Sequence, residues 1–352
     1  MPSNLRLDLM QLRLPVCDRF ARPTSATDVS CCVQRAAVGE HLSRPLELPL
    51  PLFWFDPPWH RTSVERCRDV SRAMAEVGVV VSALHRDLSQ QDDCDASAFS
   101  PRMAPHRCDR AGWIHRDFEN AAIIDLRMTP IRDSQGRFAY EPNQLRRWKN
   151  RDESSSDDPE GSVNALLFPP DWASLDDMAR KVAQLRRLSD AAVFVSFDAI
   201  HLAAYTAASV AAGIDGIIVR TTGDPLAAII AARKCIDDCA SPRAPALWLV
   251  SERSLSAEDC VKCFAVGADA VSVDHLCNDF LLDTDRTRSL ADRAAYGLGF
   301  RPSSNDYDHI RQNASELIRP FVEQIRGYAN SCGVECLADL TPEHLQPSPS
   351  FV

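Results

Sequence analysis

A regular alternation of short apolar runs and amphipathic segments in the second half of the chain is the feature that most constrains its fold. The runs lie at 191–197, 215–220, 246–251 and 269–275, and each is followed by a segment with helical periodicity. Each run is apolar along nearly its whole length, which is typical of parallel strands covered on both faces. The repeat of about 20–30 residues is the length that a strand–helix unit requires.

Four earlier apolar runs complete a set of eight candidate strands. They lie at 51–55, 78–84, 121–128 and 162–168. A doubly wound sheet is the competing architecture, but eight similar units favour a closed barrel. The sequence therefore predicts an α/β protein built as a (β/α)8 TIM barrel.

We predict three parts along the chain. Residues 1–45 form an N-terminal extension, residues 46–298 form the barrel, and residues 299–352 form a C-terminal helical tail. Two polar segments within the barrel range are expected to be insertions, at 85–118 and at 150–161. The second reads NRDESSSDDPEG, and a solvated loop is the simplest interpretation of so acidic a segment.

Composition excludes several classes of function. The formal net charge is −10 and there is no long basic run, which argues against a nucleic-acid partner. No apolar stretch approaches the ~20 residues that cross a bilayer, so we expect no membrane partner. The N-terminus mixes apolar residues with Arg and Asp, unlike a secretory signal, and the 13 cysteines are an odd number in a long chain. We therefore expect a cytoplasmic protein.

Four segments share their order and spacing with a known family. They are FPPDWASLDDMARKVAQLR from residue 168, AAGIDGIIV from 211, SAEDCVKCFAVGADAVSVD from 256 and FVEQIRGYANSCGVECLADLTPEHL from 321. Together they resemble the FMN-binding domain of glutamate synthase and its stand-alone relatives, over about residues 45–345. The resemblance implies an FMN-dependent oxidoreductase in which the flavin relays electrons to 2-iminoglutarate.

The resemblance also implies where a cofactor would bind, since barrel active sites lie at the carboxyl ends of the strands. It singles out eight candidate cofactor-binding residues: Ser196, Arg220, Thr221, Thr222, Gly223, Ser251, Arg253 and His275.

The loops that hold the flavin in that family differ in this chain. The family's glycine-rich run after the sixth strand is RTTGDP (220–225) here, which keeps one glycine and adds Asp224. The family's lysine at the end of the fifth strand is missing, and Ser196 or a neighbour takes its place. The family's iron–sulphur cysteine cluster is also absent. We therefore expect weak FMN binding or none, no iron–sulphur cluster, and a pseudoenzyme without glutamate synthase activity. No catalytic residue is assigned.

Two functions of other classes stay open. One is a non-catalytic barrel that serves as a partner or regulatory subunit, and a homo-oligomer is equally compatible with the sequence. The other is a metal-dependent hydrolase that uses histidines and aspartates near strand ends. These are His60, His85, His201 and His275, with Asp56, Asp87, Asp198 and Asp274. Since such residues are often only polar rim residues, we assign no metal site.

Charged and thiol side chains leave further alternatives. Arg220 and Arg253 could contact a small anionic ligand at the C-terminal barrel face, or they could pair with acids such as Glu252. The cysteines at 235, 239, 260 and 263 could form a metal or redox site on adjacent helices. They could equally be small residues that pack helices against the sheet, where free cysteine is common.

Overall fold

Eight parallel strands close into a barrel in the computed structural model of the chain. The structure describes residues 6–7, 10–13, 27–33, 45–58, 64–83, 102–107, 118, 121–128, 139–140, 163–164, 175–241, 243–286 and 305–347. The strands pair in chain order and the last pairs with the first. They are β1 Leu52–Trp54, β2 Val80–Ser82, β3 Arg102–Arg107, β4 Ile123–Arg127, β5 Ala192–Asp198, β6 Gly216–Thr221, β7 Ala246–Ser251 and β8 Ala270–Ser272. The predicted (β/α)8 TIM barrel is confirmed.

Helices cover the outside of the barrel. They are α1 Val64–Glu76, α2 Met178–Leu188, α3 Leu202–Ala211, α4 Pro225–Asp238, α5 Ala257–Ala265, α6 Asp274–Arg286 and α7 Asn305–Ser331. Short 3₁₀ segments lie at Leu175–Asp177, Ala199–His201, Leu337–Asp339 and Pro342–His344. Helix α7 packs against α1 and α5, so the first part of the predicted tail completes the outer layer. No helix in this described portion is both long and apolar enough to cross a membrane, and the cytoplasmic location stays a prediction.

One of the eight predicted strands is wrong. Strand β3 lies at Arg102–Arg107, inside the segment that we predicted as an insertion at 85–118. Val163–Asn164, from the predicted strand at 162–168, instead pairs antiparallel with Ala139–Tyr140 in a separate ribbon. The other residues of 162–168 lie outside the described ones. The strand β3 was missed because its sequence, RMAPHR, has no continuous apolar run, although the side chains of Arg102 and His106 are buried.

Two further ribbons position the terminal segments. Cys31–Val33 pairs with Leu46–Leu48, and both Cys31 and Leu48 are buried in the cluster that fills the barrel. Because Leu46–Leu48 leads directly into β1, this ribbon closes the N-terminal end of the barrel. Met10–Leu12 pairs with Leu345–Pro347, which joins the predicted N-terminal extension to the tail.

Alternation along the strands divides the apolar residues into two layers. On β5, Phe194 belongs to the cluster inside the barrel, whereas Val195 and Phe197 pack outward under the helices. Inside the barrel, the ring of Trp248 lies 4.7 Å from that of Phe53 and 4.8 Å from that of Phe194. These three aromatic side chains supply much of the volume that fills the barrel.

Two aspartates make the same set of contacts, each just before a strand. Each stands two residues after a glycine of positive φ, Gly213 or Gly267. Its carboxylate accepts an N–H of the neighbouring strand and pairs with an arginine of an outer helix. The contacts are Asp215 with Val193 N (2.8 Å) and Arg186 (3.2 Å), and Asp269 with Leu247 N (2.6 Å) and Arg233 (2.7 Å). Both aspartates lie in segments that carry the family resemblance, so these contacts account for the Gly-x-Asp pattern physically.

Candidate functional site

A buried arginine ties three strands together at the C-terminal end of the barrel. Arg127 ends β4, its side chain is 2% exposed, and its Nε lies 2.9 Å from the carboxylate of Asp125. Its Nη2 donates to the carbonyl oxygen of Phe55, the residue just after β1, and to Oγ of Ser82 in β2, both at 2.9 Å. Its Nη1 lies 3.4 Å from Asp56 Oδ1, and the guanidinium stacks 3.8 Å from the centre of the Phe55 ring. This side of the barrel mouth is therefore closed by a buried ion pair.

Asp274, the first residue of α6, is bound to the end of β1. Its Oδ1 accepts the N–H of Phe55 at 2.6 Å and its Oδ2 accepts the N–H of Asp56 at 3.2 Å. Burial disfavours the charged carboxylate and raises the pKa of Asp274 to about 6, and the charge of Asp56 acts in the same direction. Hydrogen bonds from Ser272 and Phe55 and the charge of Arg127 lower this pKa but do not cancel the effect of burial.

Stability should therefore fall as the pH rises through the pKa of Asp274. The folded protein holds its proton up to about pH 6, whereas an unfolded chain releases it near its ordinary value of 3.8. The ionised carboxylate then costs the folded state about 1–3 kcal/mol above pH 6. We expect urea unfolding to show this loss between pH 4 and pH 7 in the wild type and not in the Asp274→Asn variant. Parallel pH profiles for the two proteins would contradict the assignment, and Asp279→Asn on the exposed face of α6 is the control.

Hydroxyl side chains at the ends of β6, β7 and β8 bind the backbone N–H groups that follow them. In each case the hydroxyl oxygen accepts from the residue two positions later. The pairs are Thr221 with Gly223 N (3.0 Å), Ser251 with Arg253 N (3.1 Å) and Ser272 with Asp274 N (3.2 Å). Backbone N–H groups at these strand ends are the donors with which barrels hold phosphate. Here three of them already have an acceptor within the chain.

The charged rim residues also have partners within the chain. Arg220 pairs with Glu252 at 2.8 Å, which is the pairing that we considered as the alternative to an anion site. His275 Nε2 lies 2.8 Å from Glu252 O. Asp224 caps α4 by accepting Ala227 N at 3.0 Å, and its other oxygen accepts Leu7 N at 2.7 Å. Thr222, Gly223 and Arg253 are exposed at this face.

Ser196 lies inside the barrel, where the resemblance places a lysine. It is fully buried, and its backbone pairs in register with Arg127 of β4. Its Oγ has no hydrogen-bond partner in the described part of the chain, and neither does Nε1 of the buried Trp248. Since a hydroxyl carries no positive charge, Ser196 cannot supply the electrostatic role of a strand-end lysine.

Among the described residues, the structure does not bring together the histidines and aspartates that we considered for a metal-dependent hydrolase. The ring of His201 stacks 4.9 Å from that of Tyr205, and His275 is exposed on α6. His60, His85 and Asp87 lie outside the described residues. Within the ranges that are described, no group of three or more His, Cys, Asp or Glu residues is arranged to hold a metal ion.

The cysteines of α4 and α5 fit the packing interpretation better than a metal or redox site. Cys260 and Cys263 are fully buried in the core outside the barrel, and burial raises the pKa of both thiols well above its ordinary value. Cys239 Sγ donates to the carbonyl oxygen of Cys235 one turn earlier, at 3.1 Å. A thiol that is hard to ionise is a poor nucleophile and a poor metal ligand.

Sequence reasoning missed the buried pair at the centre of the site. Asp125 and Arg127 stand two residues apart in the apolar run at 121–128, so they share one face of a strand. Two charges on one face of a buried strand are unusual, because buried charges must be paired. This pattern could have predicted a buried ion pair between Asp125 and Arg127. It could not have predicted the contacts of Arg127 with β1 and β2.

A closed parallel barrel with its polar residues at the carboxyl ends of the strands defines the class as a (β/α)8 barrel. Among solved structures, the chain is similar to the flavin-binding domain of baker's yeast flavocytochrome b2, at 10% identity and a TM-score of 0.58, covering 97% of this chain and 76% of that one. It is also similar to a mandelate oxidase with a C4a-OH-FMN adduct, at 15% identity and a TM-score of 0.53, covering 97% and 88%. An (S)-mandelate dehydrogenase gives 14% identity and a TM-score of 0.55, covering 97% and 89%.

These similarities show that the chain has the fold of flavin-dependent oxidoreductase barrels. They do not single out glutamate synthase, and that finer resemblance stays a prediction. No sequence-family model matches the chain. No curated protein matches it either.

The described residues do not fit the phosphate of FMN. The N–H groups of Gly223, Arg253 and Asp274 are already bonded to hydroxyl oxygens of the chain. The carboxyl group of Asp274 lies at the start of the helix after β8, where many barrels bind phosphate. The positive end of the helix dipole favours an anion, and the Asp274 carboxylate already occupies that place. Its negative charge repels a phosphate group.

Proposed function

We propose that the chain is a glutamate-synthase-like barrel of the FMN oxidoreductase type that holds FMN weakly or not at all. The fold and the order of the resembling segments support the relationship. The main support for the loss of flavin binding is the set of internal hydrogen bonds at the ends of β6, β7 and β8. A barrel that bound phosphate there would keep these N–H groups available.

The place of the flavin ring supports the same proposal. Ser196 stands where the related family has a lysine, and Arg127 beside it is committed to Asp125, Ser82 and Phe55. Arg127, the buried cation of the described residues next to Ser196, is therefore already paired, and we expect no flavin-dependent turnover.

The visible spectrum of the purified protein tests this proposal directly. We expect no absorbance band at about 450 nm, which is where a bound oxidised flavin absorbs. A stoichiometric flavin band in protein purified without added flavin would overturn the proposal.

Comparison of FMN with riboflavin provides the matched control. A phosphate cradle makes FMN bind far more tightly than riboflavin, whereas a protein without one binds both equally weakly. We expect fluorescence titration to give dissociation constants for the two flavins within about threefold, a difference of less than ~1 kcal/mol. A strong preference for FMN would contradict the loss of the phosphate site.

A further inference from the structure

We propose that the outer surface of helices α2, α3 and α4 binds a second copy of this chain, so that two copies form a symmetric dimer. The proposal goes beyond the proposed function and does not depend on it, because flavin binding and self-association are measured separately. It rests on an exposed apolar surface that spans the three helices, and on opposite charges at the two borders of that surface.

Helix α3 has an exposed face without charge. Between Asp198 and Asp215 the sequence contains no Asp, Glu, Lys or Arg, and Ile200, just before the helix, is 72% exposed. The exposed residues of α3 are Ala203, Ala204, Ala207 and Ala211. Helices α1, α2, α4 and α7 each present charged side chains to the solvent, as outer helices of globular proteins usually do. Helix α3 therefore differs from its neighbours.

The two adjacent helices continue this apolar surface. Arg186 of α2 donates to the carbonyl oxygen of Gly213, so the side of α2 near Arg186 faces the end of α3. Arg233 of α4 instead donates to the carbonyl oxygen of Gly267 before β8, so the opposite side of α4 faces α3. Exposed alanines lie on both of the sides that face α3. Together with those of α3 they define the alanine surface: Ala179, Ala183, Ala203, Ala204, Ala207, Ala211, Ala227 and Ala231.

The alanine surface is too small to form a stable interface alone. Small side chains let facing helices approach to about 8 Å, which favours close packing. A helix is about 10 Å wide and ten residues of it are about 15 Å long, so three helices cover on the order of 400–500 Å² per copy. A stable dimer buries about 800 Å² per partner. The charged residues that border the alanine surface must therefore lie within the interface, and their charges determine how the two copies are oriented.

The two borders carry opposite charges at the same end of the helices. Arg187 is exposed in the last turn of α2, and Asp238 is exposed at the end of α4. A two-fold axis along α3 places α2 of each copy opposite α4 of the other, so that Arg187 meets Asp238 of the second copy twice. An axis across α3 instead places Asp238 near Asp224, at the start of the second α4, where the two acids repel each other. Lys234, one turn before Asp238, offsets part of the acidic charge but is farther from the last turn of α2.

The net charge of the chain explains why an uncharged surface suits self-association. Each copy has a formal net charge of −10, so two copies repel each other over most of their surfaces. An apolar surface with an ion pair at each border lowers that repulsion where the copies touch. A strongly basic partner would bind to acidic parts of the chain and would not need the uncharged face of α3.

Sedimentation velocity of the full chain tests the proposal. We expect the wild type to dimerise with a dissociation constant of about 10 μM or tighter. Ala207 lies near the middle of α3, so Ala207→Glu places two carboxylates against each other and should weaken the dimer at least ~100-fold. Because Ala207 is exposed and glutamate is a good helix former, the variant should keep its fold, which circular dichroism checks. Gln324→Glu on the exposed face of α7 adds the same charge and is the control.

Exchange of the border charges tests the orientation of the two copies. Arg187→Asp should weaken the dimer about tenfold, and Asp238→Arg in the same chain should restore the dissociation constant to within about threefold of the wild type. A wild type that stays monomeric at ~100 μM would contradict the proposal and leave the alanine surface to a different occupant. Equal dimerisation of Ala207→Glu and Gln324→Glu would also contradict it. A double variant that dimerises no better than Arg187→Asp would rule out the pairing of α2 with α4.

Discussion

Replacement of Arg127 by methionine should lower the free energy of unfolding by about 3–5 kcal/mol. Methionine fills similar space but carries no charge. The Arg127 side chain that it replaces is only 2% exposed, and its guanidinium lies 2.9 Å from the carboxylate of the fully buried Asp125. It also removes the bonds to Phe55 O and Ser82 Oγ that join β4 to the first two strands. Breaking a buried ion pair is costly because the remaining carboxylate loses its partner in a poorly solvated place. Urea unfolding followed by circular dichroism measures the loss.

The matched control for this variant is Arg180→Met on α2. Arg180 also pairs with an aspartate, Asp177 at 2.8 Å, but its side chain is 71% exposed. We expect that control to change stability by less than about 1 kcal/mol, as exposed pairs usually do. If Arg127→Met is as stable as Arg180→Met, the buried pair does not hold the barrel mouth together. A double variant with Asp125→Asn should lose less than the sum of the two single changes.

The sequence predicted the second half of the barrel closely because its strands are apolar on both faces. The runs at 191–197 and 246–251 correspond to Ala192–Asp198 and Ala246–Ser251. The third strand was not predicted because Arg102 and His106 interrupt any apolar run, although the structure buries both side chains, so tertiary context outweighs residue type there. The predicted count of eight was right although one of its members was not.

The sequence predicted where the candidate site lies, but not which contacts its residues make. All eight predicted cofactor residues lie at or near the carboxyl ends of β5 to β8. A spacing of two between a strand-end hydroxyl and a following N–H is a known local turn, so Thr221, Ser251 and Ser272 could have been predicted to bind their own backbone. The contact of Asp274 with the end of β1 joins residues more than 200 positions apart, and no local sequence pattern predicts it.

Replacement of Gly216 by alanine should destabilise the protein by about 1–3 kcal/mol. Gly216 begins β6 inside the barrel, where an added Cβ would lie 2.4 Å from Cζ of Phe194. The Phe194 ring is fully buried and packs edge-on against Trp248, so it cannot move without opening the aromatic cluster. Chemical unfolding of the variant and the wild type measures the difference.

Gly327→Ala is the matched control, because a Cβ at Gly327 of α7 meets nothing within 4 Å. Alanine in a helix interior is favoured over glycine, so this control should gain about 0.5–1 kcal/mol. The cause of the Gly216 effect is tested by Phe194→Leu, which shortens the ring that the new Cβ meets. In the double variant we expect the two changes to cost less than their sum by about 1 kcal/mol, as contacting residues do. Additive effects would show that Gly216 is required for some reason other than the room it leaves for Phe194.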